Sequence, residues 1–324
     1  MLARSAAGLE SRSPLKKVEH GLPRAIALAK QEQELEDINV ERKYDRKIDR
    51  ILFVMPMTEQ FDPPVGTPSH GHVQTGDKAS IPKSILAEIM RQSLEVPWQF
   101  EITRVERTGP GRYEPVDWET PTAEVLRGVK EMPPLPRAFC SMLDYRSPEQ
   151  YLFLPDWLMK SLRLRPRDTV RFRFLRLSMG GTVVLQPHTS AFAKLTNSQA
   201  VLEMELKHYS CLTKGTTISF NYRGERYDFN VVDCLDTDKK SVPAVNVQDS
   251  DVITDFIPAL DSPEARKHKA AMLAKAAAAE AESAAAAAAA AGKAAGAANG
   301  AGAGSRSGGG DNGSSDGESS EEEL

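Results

Sequence analysis

Apolar and polar positions alternate with a period of two along several short stretches of this chain, the spacing of strands with one buried face. Residues 97–102 set Trp98, Phe100 and Ile102 on one side. Val170, Phe172 and Phe174 do the same, with Arg171 and Arg173 between them on the outer face. Residues 217–222 and 227–232 alternate around Arg223, Gly224 and Glu225, which predicts a hairpin with its glycine in the turn. By contrast, residues 51–57 form one continuous apolar run, of the kind found in a strand covered on both faces. Further short strands are predicted at 79–81, 182–185, 242–247 and 252–256.

One stretch organises the rest. From Cys140 to Leu162 the chain reads as strand at 142–145, turn at 146–150, strand at 151–154, then a helix opening at Pro155. A proline costs nothing in a first helical turn, where its N–H has no partner, and Asp156 favours the positively polarised end. Leu158 and Leu162 fall four apart beside Trp157, so this helix should plug one end of a β-rich core. Two other helices show the same spacing. One starts near Pro82 with Ile85 and Ile89, and one near Ser198, capped by Thr196 or Asn197, with Leu202, Leu206 and Tyr209.

Where the periodicity fails, the chain reads differently. Residues 1–48 form a polar, charge-mixed extension, disordered or partly helical, with a helix from Ala25 to Arg46 whose apolar stripe is only Ile26, Leu35 and Ile38. Residues 62–76 are a Pro/Gly-rich loop carrying His70 and His72, read as exposed loop histidines. An enlarged loop over 104–136, with Tyr113 and Trp118 as its aromatics, suits a binding loop or a tolerated insertion equally. From 259 to 324 the sequence is an Ala/Gly/Ser-rich acidic tail, predicted disordered. Domains are therefore predicted at 49–186 and 187–258, between two polar extremities.

Net charge is −4, so no global basic field draws the protein to nucleic acid, and no apolar run is long enough to insert in a membrane. Cys140, Cys211 and Cys234 are odd in number and widely spaced, the usage of a reducing compartment. Arg4, Ser5, Arg12 and Ser13 give an organellar address only minor weight. Arg163, Arg165, Arg167, Arg171, Arg173 and Arg176 form the strongest basic cluster. With no aromatic residue interleaved, it reads as a solvated strand exterior before it reads as a phosphate or acidic-partner site. Enzyme signatures are missing: there is no Asp-Thr-Gly or Asp-Ser-Gly turn, no phosphate loop on a strand, and no complete metal set around His208 and Cys211. The residues thus predict a β-rich α+β protein of two domains, without catalytic, metal or cofactor residues.

Three blocks resemble the ubiquitin fusion degradation protein 1 family. They are GDKASIPKSILAEI with VPWQFEIT, then CSMLDYRSPEQYLFLPDWLM, then KLTNSQAVLEMELKHYSCLTKGTTISFNYRGERYDFNVV. Leu154, Pro155, Trp157, Leu212, Thr213, Gly215, Asn221 and Tyr222 stand in them as the structural motif. The resemblance implies a double-psi β-barrel followed by a smaller α/β-roll domain, like the amino-terminal domain of the valosin-containing AAA ATPase. It further implies a cytoplasmic and nuclear adaptor without catalysis of its own. Such an adaptor binds ubiquitin and polyubiquitin chains, pairs with the nuclear protein localisation 4 protein, and presents ubiquitylated substrates to that ATPase, in ER-associated degradation among other routes. On that likeness Met142, Leu143 and Tyr145 lie near the ubiquitin surface, although barrel core would use the same residues. The sequence also departs from the family. No aromatic residue follows Phe256, so the tail lacks the family's ATPase-binding box of a phenylalanine, spaced glycines and a leucine. A diverged scaffold without ATPase docking is the alternative this raises. A double-psi barrel enzyme would need a pocket of convergent polar residues.

Overall fold

A computed structural model of the chain describes residues 14–43, 48–57, 74–267 and 270, and the fold is given for those. Helix α1 (Pro14–Lys43) precedes a run of strands: β1 (Asp49–Pro56), β2 (Lys78–Pro82), β3 (Gln99–Gly109), β4 (Arg112–Pro115), β5 (Arg137–Ser147), β6 (Tyr151–Leu154) and β7 (Thr169–Leu175). Among them sit α2 (Lys83–Arg91), the short α3 (Ala123–Leu126) and α4 (Asp156–Ser161). The sheet order is β4-β3-β5-β2-β6-β1-β7, and β3 also pairs with β7. That last pairing closes six strands into a ring, a mixed parallel and antiparallel barrel of the double-psi kind, and closure removes the exposed sheet edges.

Each barrel strand gives two residues, spaced by two, to one core: Leu52 and Val54, Ala79 and Ile81, Phe100 and Ile102, Ala138 and Cys140, Leu152 and Leu154, Val170 and Phe172. Phe100 stacks on Phe172 with centroids 4.4 Å apart. Helix α2 caps this core with Ile85 and Ile89, and α4 with Leu158 and Leu162.

A second lobe follows with β8 (Gly180–Pro187), α5 (Ser198–Leu206), β9 (Cys211–Thr213), β10 (Thr217–Tyr222), β11 (Glu225–Asp236), β12 (Ala244–Asn246) and β13 (Ile253–Phe256). Its four-stranded sheet runs β10-β11-β8-β13, with β12-β9 paired separately. Phe220 stacks on Phe229, and Phe192 meets Phe229 edge-on at 4.7 Å. In the predicted hairpin, Arg223 and Gly224 both take positive φ, the two-residue turn whose twist matches the flanking strands.

Four expectations are corrected. First, β8 was expected to finish the barrel, yet it pairs with β11 and β13, so the lobes divide before residue 180 and not at 186. Its local pattern fits either sheet, and only pairing decides. Second, the second lobe runs beyond 258: Leu260 N–H donates to Pro187 O, Asp261 accepts from Ser190, and Ala265 is buried. Third, 104–136 is not a structureless loop. Strand β3 continues to Gly109 and turns into β4, and Leu126 and Leu135 are buried. Gly128 N–H donates to Gln186 Oε1 and Val129 O accepts from Asn230 Nδ2, so this segment straps the lobes together.

Fourth, the amino-terminal extension is docked on the barrel. Leu35 is buried against Ile51, Phe53 and Val105, while Ile38 is half-buried and Ile26 exposed. Asn39 donates to Ile51 O at 2.8 Å and accepts from Ile51 N at 2.9 Å, standing in for a missing strand. Glu34 accepts from Arg107 and from Gly111 N–H. The continuous apolar run of β1 is thereby explained, because Leu52 and Val54 face the barrel core while Ile51 and Phe53 face α1. His70, His72, residues 44–47 and most of the acidic tail lie outside the described residues.

Candidate functional site

Strand β5 carries the predicted ubiquitin-facing residues, and its geometry separates them. Opposite Ala79 and Ser80 of β2 stand Met142 and Asp144, so β5 spends an extra residue, Leu143, on one step of its partner. Such a bulge re-aims the side chains beside it. Asp144 locks the new direction: it accepts from Ser80 Oγ and from Arg146 N–H, while Ser147 Oγ donates to Ser80 O at 2.8 Å. The outcome is that Met142 packs against the barrel core, Leu143 is half-buried, and Tyr145 is 48% exposed. Met142 is half-buried as well, so of the three Tyr145 is the most open. Exposed tyrosine offers apolar area and a polar tip together, which protein interfaces favour.

The motif residues mostly build the junction between lobes. Trp157 packs on both cores, donates Nε1–H to Gly76 O at 3.0 Å and lies 6.2 Å from the Tyr209 ring. Leu154 and Leu212 are core residues of the two lobes, and Pro155 precedes α4 in extended conformation. Thr213 Oγ1 accepts from Phe139 N–H at 3.1 Å, stitching β9 to β5. Gly215, with φ +85, turns where Leu135 of the strap comes close. Asn221 and Tyr222 stand apart, exposed and half-buried on β10, with Arg223 over the Tyr222 ring.

Asp77 was not singled out by the sequence, since it lies at the end of a Pro/Gly loop with no periodic signal. It is fully buried between the lobes and accepts from Ser210 N–H, Cys211 N–H and Cys211 Sγ. Burial pushes its carboxyl above the ordinary range, against the pull of those hydrogen bonds. Burial, with Asp77 beside it, also pushes the Cys211 thiol well up, so this cysteine is held as a neutral thiol and not as a nucleophile. Gln99 completes the junction, donating to Ser210 O and Asn246 Oδ1. Among the described residues no cluster of His, Cys, Asp and Glu is arranged to hold a metal ion, and no helix is long and apolar enough to cross a membrane.

The basic cluster is divided by the fold. Arg163 and Arg167 occupy turns with positive φ, Arg176 pairs with Glu95 at 3.0 Å, and Arg171 and Arg173 project from β7 toward Asp49 and Glu101.

Two family models match this architecture in succession. "Ubiquitin fusion degradation protein UFD1, N-terminal subdomain 1" covers residues 55–178, and "N-terminal subdomain 2" covers 179–259. Their junction falls between β7, the last barrel strand, and β8, the first strand of the second sheet. The chain is also 28% identical over 193 residues to the ubiquitin fusion degradation protein 1 homolog of Dictyostelium discoideum, covering 60% of this chain and 49% of that protein. It is 25% identical over 191 residues to the ubiquitin recognition factor in ER-associated degradation protein 1 of Homo sapiens, covering 59% and 52%. With the ubiquitin fusion degradation protein 1 of Saccharomyces cerevisiae it shares 24% identity over 183 residues, covering 56% and 43%. The chain thus spans about half the length of the curated relatives it matches.

Proposed function

The chain belongs to the ubiquitin fusion degradation protein 1 family, and from that premise we propose that it is a non-catalytic, ubiquitin-binding adaptor of protein degradation, ER-associated degradation included. The observation that carries this reading is the unbroken succession of both family segments, 55–178 and 179–259, over one folded body. Two relatives are named for ubiquitin fusion degradation and one for ubiquitin recognition in ER-associated degradation. In this reading Met142, Leu143 and Tyr145 lie near the ubiquitin surface, with Tyr145 the most exposed of the three. A nuclear protein localisation 4 type partner and the valosin-containing AAA ATPase complete the assembly, in the cytoplasm and nucleus.

The test is an NMR titration of the full chain with polyubiquitin chains. Shift changes at Leu143 and Tyr145, abolished in Tyr145→Ala, are the expected result, and a spectrum unmoved by ubiquitin overturns the reading. Affinity purification then separates adaptor from scaffold: an adaptor recovers the ATPase with its partner, and the scaffold suggested by the tail recovers neither.

A further inference from the structure

We propose that the outer face of strands β5, β3 and β7 is a binding site for a phosphoserine- or phosphothreonine-bearing segment of a partner protein. The strand register builds it. Thr103 of β3 stands between Arg137 of β5 and Arg171 of β7, and the next row sets Glu101 between Phe139 and Arg173. Residues directly paired across a ladder share a face, with Cβ atoms about 5 Å apart, so the Arg137 and Arg171 side chains leave their strands on either side of Thr103. The Thr103 hydroxyl has no hydrogen-bond partner among the described residues. Over this row lies a cavity of about 330 Å³ lined by Glu101, Thr103, Trp118, Arg137, Arg171 and Arg173 among others.

Charge at the cavity is unbalanced. Arg137 and Arg173 share Glu101, while Arg171 and Arg42 share Asp49, so four guanidiniums meet two carboxylates. The three cavity arginines stay 40–46% exposed even while paired, and the Arg137–Glu101 contact is loose at 3.4 Å. Asp117 and Glu119, on either side of Trp118, do not line the cavity. Two surplus positive charges match a phosphoryl dianion better than a single carboxylate.

A wall distinguishes a peptide from a free ion. Trp118, held 5.4 Å from the Arg104 guanidinium, brings an aromatic surface to the cavity. It would cover the residue next to the phosphate, which inorganic phosphate cannot use. By sequence alone this face had no aromatic residue, because Trp118 arrives from the strap and not from the strands. Tyr145 lies eight residues further along β5, roughly 25 Å by strand rise, so this site and the proposed ubiquitin contact are separate and can fail separately.

The experiment titrates the full chain with the peptide Gly-Leu-phosphoserine-Leu-Gly, its serine and glutamate counterparts, and inorganic phosphate, reading the Thr103 amide, the Trp118 indole and arginine Nε–H resonances. Expected are saturable shifts at all three groups with the phosphopeptide, none with the serine peptide, and binding at least tenfold weaker for the glutamate peptide and for inorganic phosphate. Arg137→Gln, whose one pairing is loose, should weaken phosphopeptide binding at least tenfold, and Trp118→Ala should close the gap to inorganic phosphate. Both variants are checked for an unchanged urea midpoint. Absent shifts at Thr103, equal binding of the serine or glutamate peptide, inorganic phosphate binding as tightly as the phosphopeptide, or undiminished binding in folded Arg137→Gln each overturn the proposal.

Discussion

Gly215→Ala tests how tightly the strap over 116–136 is wedged between the lobes. Gly215 holds φ +85, and a Cβ there would stand 2.7 Å from Leu135 Cδ2. Gly224 offers an internal control, because it holds φ +82 with nothing within 4 Å of its Cβ position. Forcing an L-residue into this left-handed region costs about 1–2 kcal/mol at either site. The difference between the two variants is therefore the steric part. Leu135 is 1% exposed within the barrel core, and its N–H donates to Ser161 O, so its methyl has little room to retreat. Overpacking of this kind costs about 1–3 kcal/mol. Gly224→Ala should thus lose about 1–2 kcal/mol and Gly215→Ala about 2–5 kcal/mol, read as urea midpoints at constant slope. Leu135→Ala alone should lose about 2–5 kcal/mol by opening a cavity. Adding it to Gly215→Ala removes the clash, so the double variant should fall short of additivity by about 1–3 kcal/mol. Equal losses at Gly215 and Gly224, or strict additivity with Leu135→Ala, would refute the wedge.

Other expectations follow from the same contacts. Asn39→Ala leaves both the N–H and the C=O of Ile51 unpaired under α1 and should cost about 1–3 kcal/mol in chemical unfolding; an unchanged midpoint would mean α1 is not docked through this residue. The Glu88 carboxyl is pulled down to about 2, first by its hydrogen bonds from Arg91, against burial that raises it. A depressed carboxylate stabilises the fold above its unfolded value near 4.5 and loses that contribution as pH falls toward 2. Thermal unfolding across that window should therefore fall more steeply for the native protein than for Glu88→Gln, and parallel curves would count against the pairing. Tyr145→Ala should change stability by less than about 0.5 kcal/mol while removing ubiquitin binding, whereas Met142→Ala, packed on the core, should lose stability as well. A matched loss of stability in both variants would contradict the separation made by the β5 bulge.

Local patterns made much of the fold legible. Period-two spacing placed Trp98, Phe100 and Ile102 on one face, and the four-residue spacing of Leu158 and Leu162 gave α4 its role as a plug, because burial geometry repeats within a single element. Motif residues such as Trp157 and Thr213 were legible too, but as sequence only. Their task, joining two lobes, depends on contacts with Gly76, Tyr209 and Phe139, which lie far along the chain. The docking of α1 was missed since its stripe is thin: one buried leucine and one asparagine replacing a strand partner leave hardly any hydrophobic period to read.

What the sequence by itself determined, then, is most of the strands and the helices near Pro82, Pro155 and Ser198, with the β-rich α+β class, which rest on short-range spacing, and the family likeness, which rests on three residue blocks. Tertiary structure alone decided that β8 joins the second sheet, that Asp77 is buried between the lobes, that Met142 packs against the barrel core while Tyr145 is exposed, and that Trp118 lines one cavity with Arg137, Thr103 and Arg171. Each of these follows from strand pairing and barrel closure between residues distant in the chain. Local propensity does not encode those pairings, because the same alternating strand can satisfy its hydrogen bonds in either sheet.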